Sequence, residues 1–346
     1  PRITNGPGFG NSSLFTQELR VASPTGAKLE YTAGMFYSAQ RQFSAASPFN
    51  INVILPFPPF TIPVVARNGT QTNLSDDSFA VFGQTTFHAD EHLRLIAGAR
   101  YTGERLAVRY RSADTGNTGI AKSNIENFSW RVGAQYEFDR NLMVYGTVSR
   151  GYKGPQIALG DPSLPTNIPT IIRPEIPTNY EIGLKGSLAD GRLIIDLNAF
   201  LMNLKDYQGQ ICNPNASGGL TCAPQNISRV RSKGVELNVT GRPAEGLVMN
   251  AGLIYNAVRY PAGFQGSNGL DPNATTLPLP TISVDLGGLQ LVSAPEWKAT
   301  FSGEYSHEVT GGLEAFLGVD VIYKSKLRLA ASTRPETIFG AHATLG

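Results

Sequence analysis

Four histidines, two cysteines and a scatter of basic side chains are the residues of this 346-residue chain best equipped for chemistry. A metal site would need the histidines to converge. His88 and His92 stand four apart, a spacing that shares one face only on a helix, and Ala89-Asp90-Glu91 between them reads as a tight turn. His307 lies beside another turn and His342 near the last residue. We expect turn polarity from all four and no metal site. Gly6-Pro7-Gly8-Phe9-Gly10 is glycine-rich but lacks the strand-to-helix context of a phosphate loop. Asp, Ser and His residues occur singly, and no spacing selects a nucleophile with its base. Neither a catalytic group nor a cofactor is expected. Cys212 and Cys222 share a Gly-, Asn- and Pro-rich stretch. A disulfide formed in an oxidising compartment is the favoured reading, with two free thiols as the alternative.

The elements that must position these residues are strands. From Leu93 the apolar set Leu93, Leu95, Ala97, Ala99, Tyr101 alternates with Arg94, Ile96, Gly98, Arg100, Thr102. Trp130, Val132, Ala134, Tyr136 and Phe138 alternate with Arg131, Gly133, Gln135 and Glu137. The same period of two recurs at Tyr180, at Leu193, at Trp297 and at Leu313. About twelve such strands and the start of another are expected, near 13–23, 28–42, 78–88, 92–110, 125–138, 142–152, 178–188, 192–208, 227–242, 247–260, 296–307, 312–328 and 336–346. All 23 prolines fall outside these interiors, as the missing ladder donor requires. Charged residues are only 16% of the chain, against roughly 25% in soluble domains. The net charge of +2 gives no global argument for nucleic acid.

Connections alternate in length. Pro24–Ala27, Ala89–Glu91, Asp139–Asn141, Ala189–Gly191, Pro243–Gly246 and Val309–Gly311 are short. Those near 43–77, 111–124, 153–177, 209–226, 261–295 and 329–335 are longer and rich in Pro, Gly, Asn and Ser. Membrane barrels keep this alternation, with short periplasmic turns and long extracellular loops; a soluble sandwich has no reason to. Aromatic residues fall toward both ends of the strands, as interfacial rings do. The expected fold is therefore all-β, an antiparallel up-and-down transmembrane β-barrel with its long loops outside the cell. An open edge is not viable in hydrocarbon, so a chain that opens on Pro1-Arg2-Ile3 and stops inside a strand is expected to be truncated at both ends.

Several segments resemble, in order, the barrel of TonB-dependent outer-membrane receptors. They are Phe15–Ser23, Ala80–Phe87 followed by Leu95–Thr102, Val144–Gly154, Pro174-Glu175 with Asn179–Lys185, Ser232–Leu237 and Ala294–Trp297. Pro155 departs from the family pattern, which continues with glycine. The resemblance implies a 22-stranded barrel closed by a plug domain, of which residues 1–346 would supply 12–13 strands and no plug. It implies uptake of a scarce ligand, foremost a ferric siderophore, driven by TonB acting on the plug, with no enzymatic step. Outer-membrane lipid and lipopolysaccharide would surround the wall. Ligand contact is expected from lumen-side or loop residues Tyr145, Lys153, Tyr207, Gln208, Arg231 and Lys233. Basic residues gather at the long-loop ends, among them Arg105, Arg109, Arg111, Arg150, Arg229 and Arg259. They would meet an anionic ligand or lipopolysaccharide phosphates, or simply keep the strand ends solvated. A passive porin-like channel, a surface adhesin barrel and a soluble extended β-protein are the competing readings.

Overall fold

The computed structural model describes residues 2–3, 8–46, 49–54, 61–66, 70–112, 116–158, 169–214, 220–270, 281–327 and 336–345. Thirteen strands form one antiparallel sheet in which every neighbour in sequence is a neighbour in space. They are β1 (Gly8–Ala22), β2 (Leu29–Ala46), β3 (Thr70–His88), β4 (Leu93–Ser112), β5 (Thr118–Asp139), β6 (Leu142–Arg150) and β7 (Ile176–Leu188). The rest are β8 (Leu193–Pro214), β9 (Leu220–Ala244), β10 (Leu247–Arg259), β11 (Trp297–Thr310), β12 (Leu313–Leu327) and β13 (Glu336–Leu345). Each strand expected from the sequence is present.

The short connections are built as their residues dictate. Asp90 Oδ1 accepts hydrogen bonds from the His92 and Leu93 amides at 2.7 and 2.8 Å, and Asp139 Oδ1 accepts one from the Asn141 amide at 2.7 Å. Asp190 and Gly191 hold positive φ, at 57° and 84°, as the central pair of a hairpin turn closed by the Arg192 amide donating to the Ala189 carbonyl at 3.1 Å, and Ala189 before them is also left-handed, at 52°. His88 Nε2 lies 3.3 Å from Glu30 and His92 Nδ1 2.7 Å from the Glu137 carbonyl oxygen, so the two rings are engaged separately, on different partners.

At the other end the strands run further than expected. The loops anticipated at 209–226, 43–77 and 111–124 shrink, because β8 and β9 pair out to Pro214↔Leu220, β2 and β3 to Ala45↔Gln71, and β4 and β5 to Arg111↔Thr118. Outside hydrocarbon, continued pairing still satisfies backbone groups. These extensions take in Pro177, Pro214 and Pro224, and at the short-turn end β9 runs on through Pro243. Proline is thus not confined to connections, but it stays near strand ends, where a lost donor matters least. Short strand pairs occupy three of the long connections, Phe49–Ile54 with Thr61–Ala66, Gln156–Ala158 with Thr170–Ile172 and Gln265–Leu270 with Thr281–Asp285.

Register defines two faces. Leu184, Leu197, Leu237, Leu253, Ala299, Tyr323 and Phe339 are successive partners across seven strands, β7 to β13. That face, called outer here, is apolar and uncovered: Ile182 is 66% exposed, Val132 47% and Leu19 74%. A water-soluble fold would bury it, so the soluble reading fails; hydrocarbon is the medium that fits. The opposite, inner face carries Arg94 bonded to Glu137, Tyr145 to Glu181 and Lys185 to Asp196, at 2.7, 2.7 and 3.2 Å.

Toward the long-connection end the polarity of both faces inverts. On β4 the outer side chains change from Leu95, Ala97, Ala99 and Tyr101 to Arg105, Arg109 and Arg111, while the inner ones become Leu106, Val108 and Tyr110, all buried. The β3–β4 and β4–β5 registers run without a bulge through this change. The strand has not flipped; its surroundings have.

Candidate functional site

The six residues picked from the sequence fall in three places. Tyr145 sits on the inner wall, opposite Gly183, with its hydroxyl donating to Glu181 Oε1 at 2.7 Å. It is eight residues from Lys153, or about 25 Å along an extended chain. Arg231 and Lys233 lie on the outer face, since Lys233 shares β9 parity with Val235 and Leu237, and Arg231 is bonded to Asn203 Oδ1 at 3.1 Å. The structure does not bring these three together with the others. Lys153, Tyr207 and Gln208 gather around Glu175 at the rim where the long connections begin: Lys153 and Gln208 both engage its carboxylate, and Tyr207 lies within its electrostatic reach.

Gln208 is the centre of that rim and is buried. Its backbone amide donates to Glu175 Oε2 at 2.9 Å. Its side-chain Nε2 donates to the Gly154 carbonyl at 2.8 Å and the Arg173 carbonyl at 3.0 Å, which ties the connection between β6 and β7 onto β8. Lys153 and Glu175 exchange backbone hydrogen bonds at 3.0 and 3.1 Å, with Lys153 Nζ 3.9 Å from Glu175 Oε2. Gln208 Oε1 is buried and accepts no hydrogen bond from the described residues.

Asp206 makes this arrangement possible. It holds φ 53° in mid-strand, a left-handed conformation that Asp tolerates better than most residues. Arg173 Nη2 donates to its carboxylate at 2.7 Å and Asn226 Nδ2 to its carbonyl at 2.9 Å. Strict alternation would place Tyr207 beside exposed Lys205 on the outer face. Instead Tyr207 packs with Leu204 against the buried set Ile227, Val230, Val258 and Leu291, together with Tyr260 and Phe264. The Tyr260 and Phe264 rings stack 5.0 Å apart at 3°. Burial, with Glu175 nearby, pushes the Tyr207 hydroxyl above its ordinary pKa.

A second buried group faces the same connection. Tyr152 donates to Glu104 Oε2 at 2.9 Å. Burial raises the Glu104 carboxyl, against the opposing pull of that bond. Glu104, Tyr152, Arg173, Asp206 and Asn226 were not singled out from the sequence as site residues. Pro174-Glu175 had been visible only as a motif, and nothing in the residue order signals the turn at Asp206. The rim as built is a braced set of hydrogen-bond donors, acceptors and aromatic rings.

A profile described as TonB dependent receptor-like, beta-barrel, matches residues 3–345. The chain belongs to this family. Members of the TonB-dependent receptor family are outer-membrane receptors and transporters, not enzymes. Among relatives, the ferripyoverdine receptor of Pseudomonas aeruginosa is 27% identical over 205 residues, covering 56% of this chain and 23% of the relative. The ferric-pyoverdine 358 receptor of Pseudomonas putida is 27% identical over 183 residues, 51% of this chain and 21% of the relative. The fold matches that of the ferric yersiniabactin uptake receptor FyuA from Yersinia pestis with a TM-score of 0.72 at 17% identity, over 98% of this chain and 46% of that one. It matches the siderophore receptor PiuA from Acinetobacter baumannii with a TM-score of 0.70 at 16% identity, over 97% and 50%. The chain thus spans under a quarter of these curated relatives and about half of these solved receptors. As a TonB-dependent receptor barrel, its thirteen strands are a wall segment with an apolar outer face and a polar inner one.

Proposed function

We propose that the protein carrying this chain imports a ferric siderophore, with TonB supplying the drive through a plug domain that lies outside these residues. The long connections face the cell exterior, and the ligand meets the inner rim of Lys153, Tyr207, Gln208 and Tyr260 on its way in. The observation that carries this reading is the braced rim itself, set on the lumen side of a wall from a receptor family. Relatives named for ferric pyoverdine and ferric yersiniabactin support the ligand class.

The test is accumulation of radiolabelled iron from a panel of ferric siderophores, by cells making the full-length protein as their sole receptor, with and without TonB. Uptake of one siderophore should saturate at submicromolar concentration and vanish without TonB. Equal uptake in both strains would sink the proposal and favour a diffusion channel.

Cys212 and Cys222 are direct register partners near the tip of the β8–β9 hairpin; their side chains lie outside the described residues. We propose that they form a disulfide. Peptide mapping of non-reduced protein should find the two joined. A disulfide closing so short a loop stabilises by up to about 3 kcal/mol, confined to the hairpin tip. Full alkylation of both thiols in unreduced protein would exclude it.

A further inference from the structure

On β8, β9 and β10 the outer face is ordered in rows. Register stacks Leu197, Leu237 and Leu253, then Ala199, Val235 and Tyr255. The next rows are Leu201, Lys233 and Ala257, then Asn203, Arg231 and Arg259, then Lys205 and Arg229. Pairing from Lys205↔Arg229 down to Leu193↔Gly241, and from Arg231↔Arg259 to Gly241↔Met249, keeps one register, so all these residues share a face. Lys205, Arg229, Arg231, Lys233 and Arg259 are all exposed.

Two of these pairs set like charges directly opposite each other, Arg231↔Arg259 and Lys205↔Arg229. Such pairs destabilise a sheet unless an anion intervenes. The protein supplies little. Arg259 pairs with Glu296, and Arg231 reaches only the neutral Asn203 amide. Lys205, Arg229 and Lys233 make no ion pair among the described residues. From the Lys233 row to the Lys205 row is four residues, about 13 Å of strand and about 10 Å of depth at a barrel tilt. That is on the order of the headgroup layer at one membrane face. The cations begin where the apolar rows stop.

We propose that this patch binds the phosphorylated headgroup of lipopolysaccharide in the outer leaflet, with the acyl chains lying against the Val235–Tyr255 and Leu237–Leu253 rows. One lipopolysaccharide molecule carries several phosphates, which suits cations spread over three rows better than a lipid with a single phosphate does. Arginine offers bidentate contacts to each phosphate and lysine a point charge. The assignment rests on the proposed orientation, with the long connections outside.

The experiment uses the full-length receptor purified in detergent and titrated with lipopolysaccharide, with binding followed by native mass spectrometry. The unmodified protein should bind at least tenfold more tightly than the K205Q/R229Q/R231Q/K233Q variant, which leaves the Arg259–Glu296 pair intact. Phosphate-stripped lipopolysaccharide should bind the unmodified protein as weakly as the variant binds the intact lipid. Heat-modifiable gel mobility checks that the variant folds; should it fail, R229Q alone is expected to lose about threefold. Equal binding of intact and stripped lipid, or of the variant and the unmodified protein, overturns the proposal. So does phosphatidylglycerol competing as well as lipopolysaccharide. An epitope inserted between Ala262 and Gly263 tests orientation separately: detection on intact cells supports it, and detection only after lysis overturns the orientation without touching the binding result.

Discussion

Replacing Gly234 with alanine should markedly destabilise the assembled wall. Gly234 lies on the inner face of β9, paired with Phe200 of β8 and Asn256 of β10. An added Cβ would fall on the Tyr255 carbonyl oxygen and 2.8 Å from Phe200 Cζ. Phe200 could swing aside, but the carbonyl belongs to the β9–β10 ladder and moves only if the ladder opens. Overpacking of this kind costs about 3 kcal/mol or more. Gly103→Ala is the matched control, because a Cβ there meets nothing within 4 Å and the change should lie within about 0.5 kcal/mol. Urea midpoints of the refolded full-length receptor decide the matter: a G234A midpoint matching that of G103A would refute the steric account.

Gln208→Leu should release the connection between β6 and β7 while leaving the wall intact. The leucine keeps the side-chain bulk and the backbone bond to Glu175 but removes both donors. The Gly154 carbonyl loses its side-chain donor, while the Arg173 carbonyl keeps Asn226 Nδ2 at 2.9 Å. One unsatisfied buried group costs about 1–3 kcal/mol, less where water can reach it, so a local loss of about 1–2 kcal/mol is expected. Amide exchange over residues 151–158 and 169–175 should quicken by roughly 5- to 30-fold, with strand amides unchanged, as for a locally opening unit. Ligand affinity should fall with it. Unchanged exchange in those residues would mean that Gln208 does not hold the rim.

The sequence made the wall legible because period-two alternation and turn chemistry are local signals. Leu93–Tyr101 names its lipid side without help from any neighbour, and Asp90, Asp139 and Gly191 mark turns by their own preferences. The rim was less legible. Above Tyr101, β4 places Arg105 and Arg109 where a lipid-facing residue would be sought, and Val108 and Tyr110 where a polar one would. Hydropathy alone reads that as a slipped register, and only the continuous pairing with β3 and β5 shows otherwise. The choice of Arg231 and Lys233 for the lumen shows the same difficulty. Charge suggested a ligand, while parity with Val235 pointed outward. At Asp206 a single left-handed residue redirects Tyr207 through partners as distant in sequence as Arg173, and no window of neighbouring residues encodes that.

The change of character along β4 and along β8 to β10 also bears on how deeply the molecule rides. Sliding the wall two residues toward its short-turn end would take the Lys233 row about 5 Å into the hydrocarbon, where each cation costs up to about 1 kcal/mol near the interface and more with every further ångström. Sliding it the other way would lift the Ala199, Val235 and Tyr255 row out of oil. With several strands marked at corresponding heights, the protein carries its own waterline, and it would draw the surrounding bilayer to that level in preference to bobbing within it.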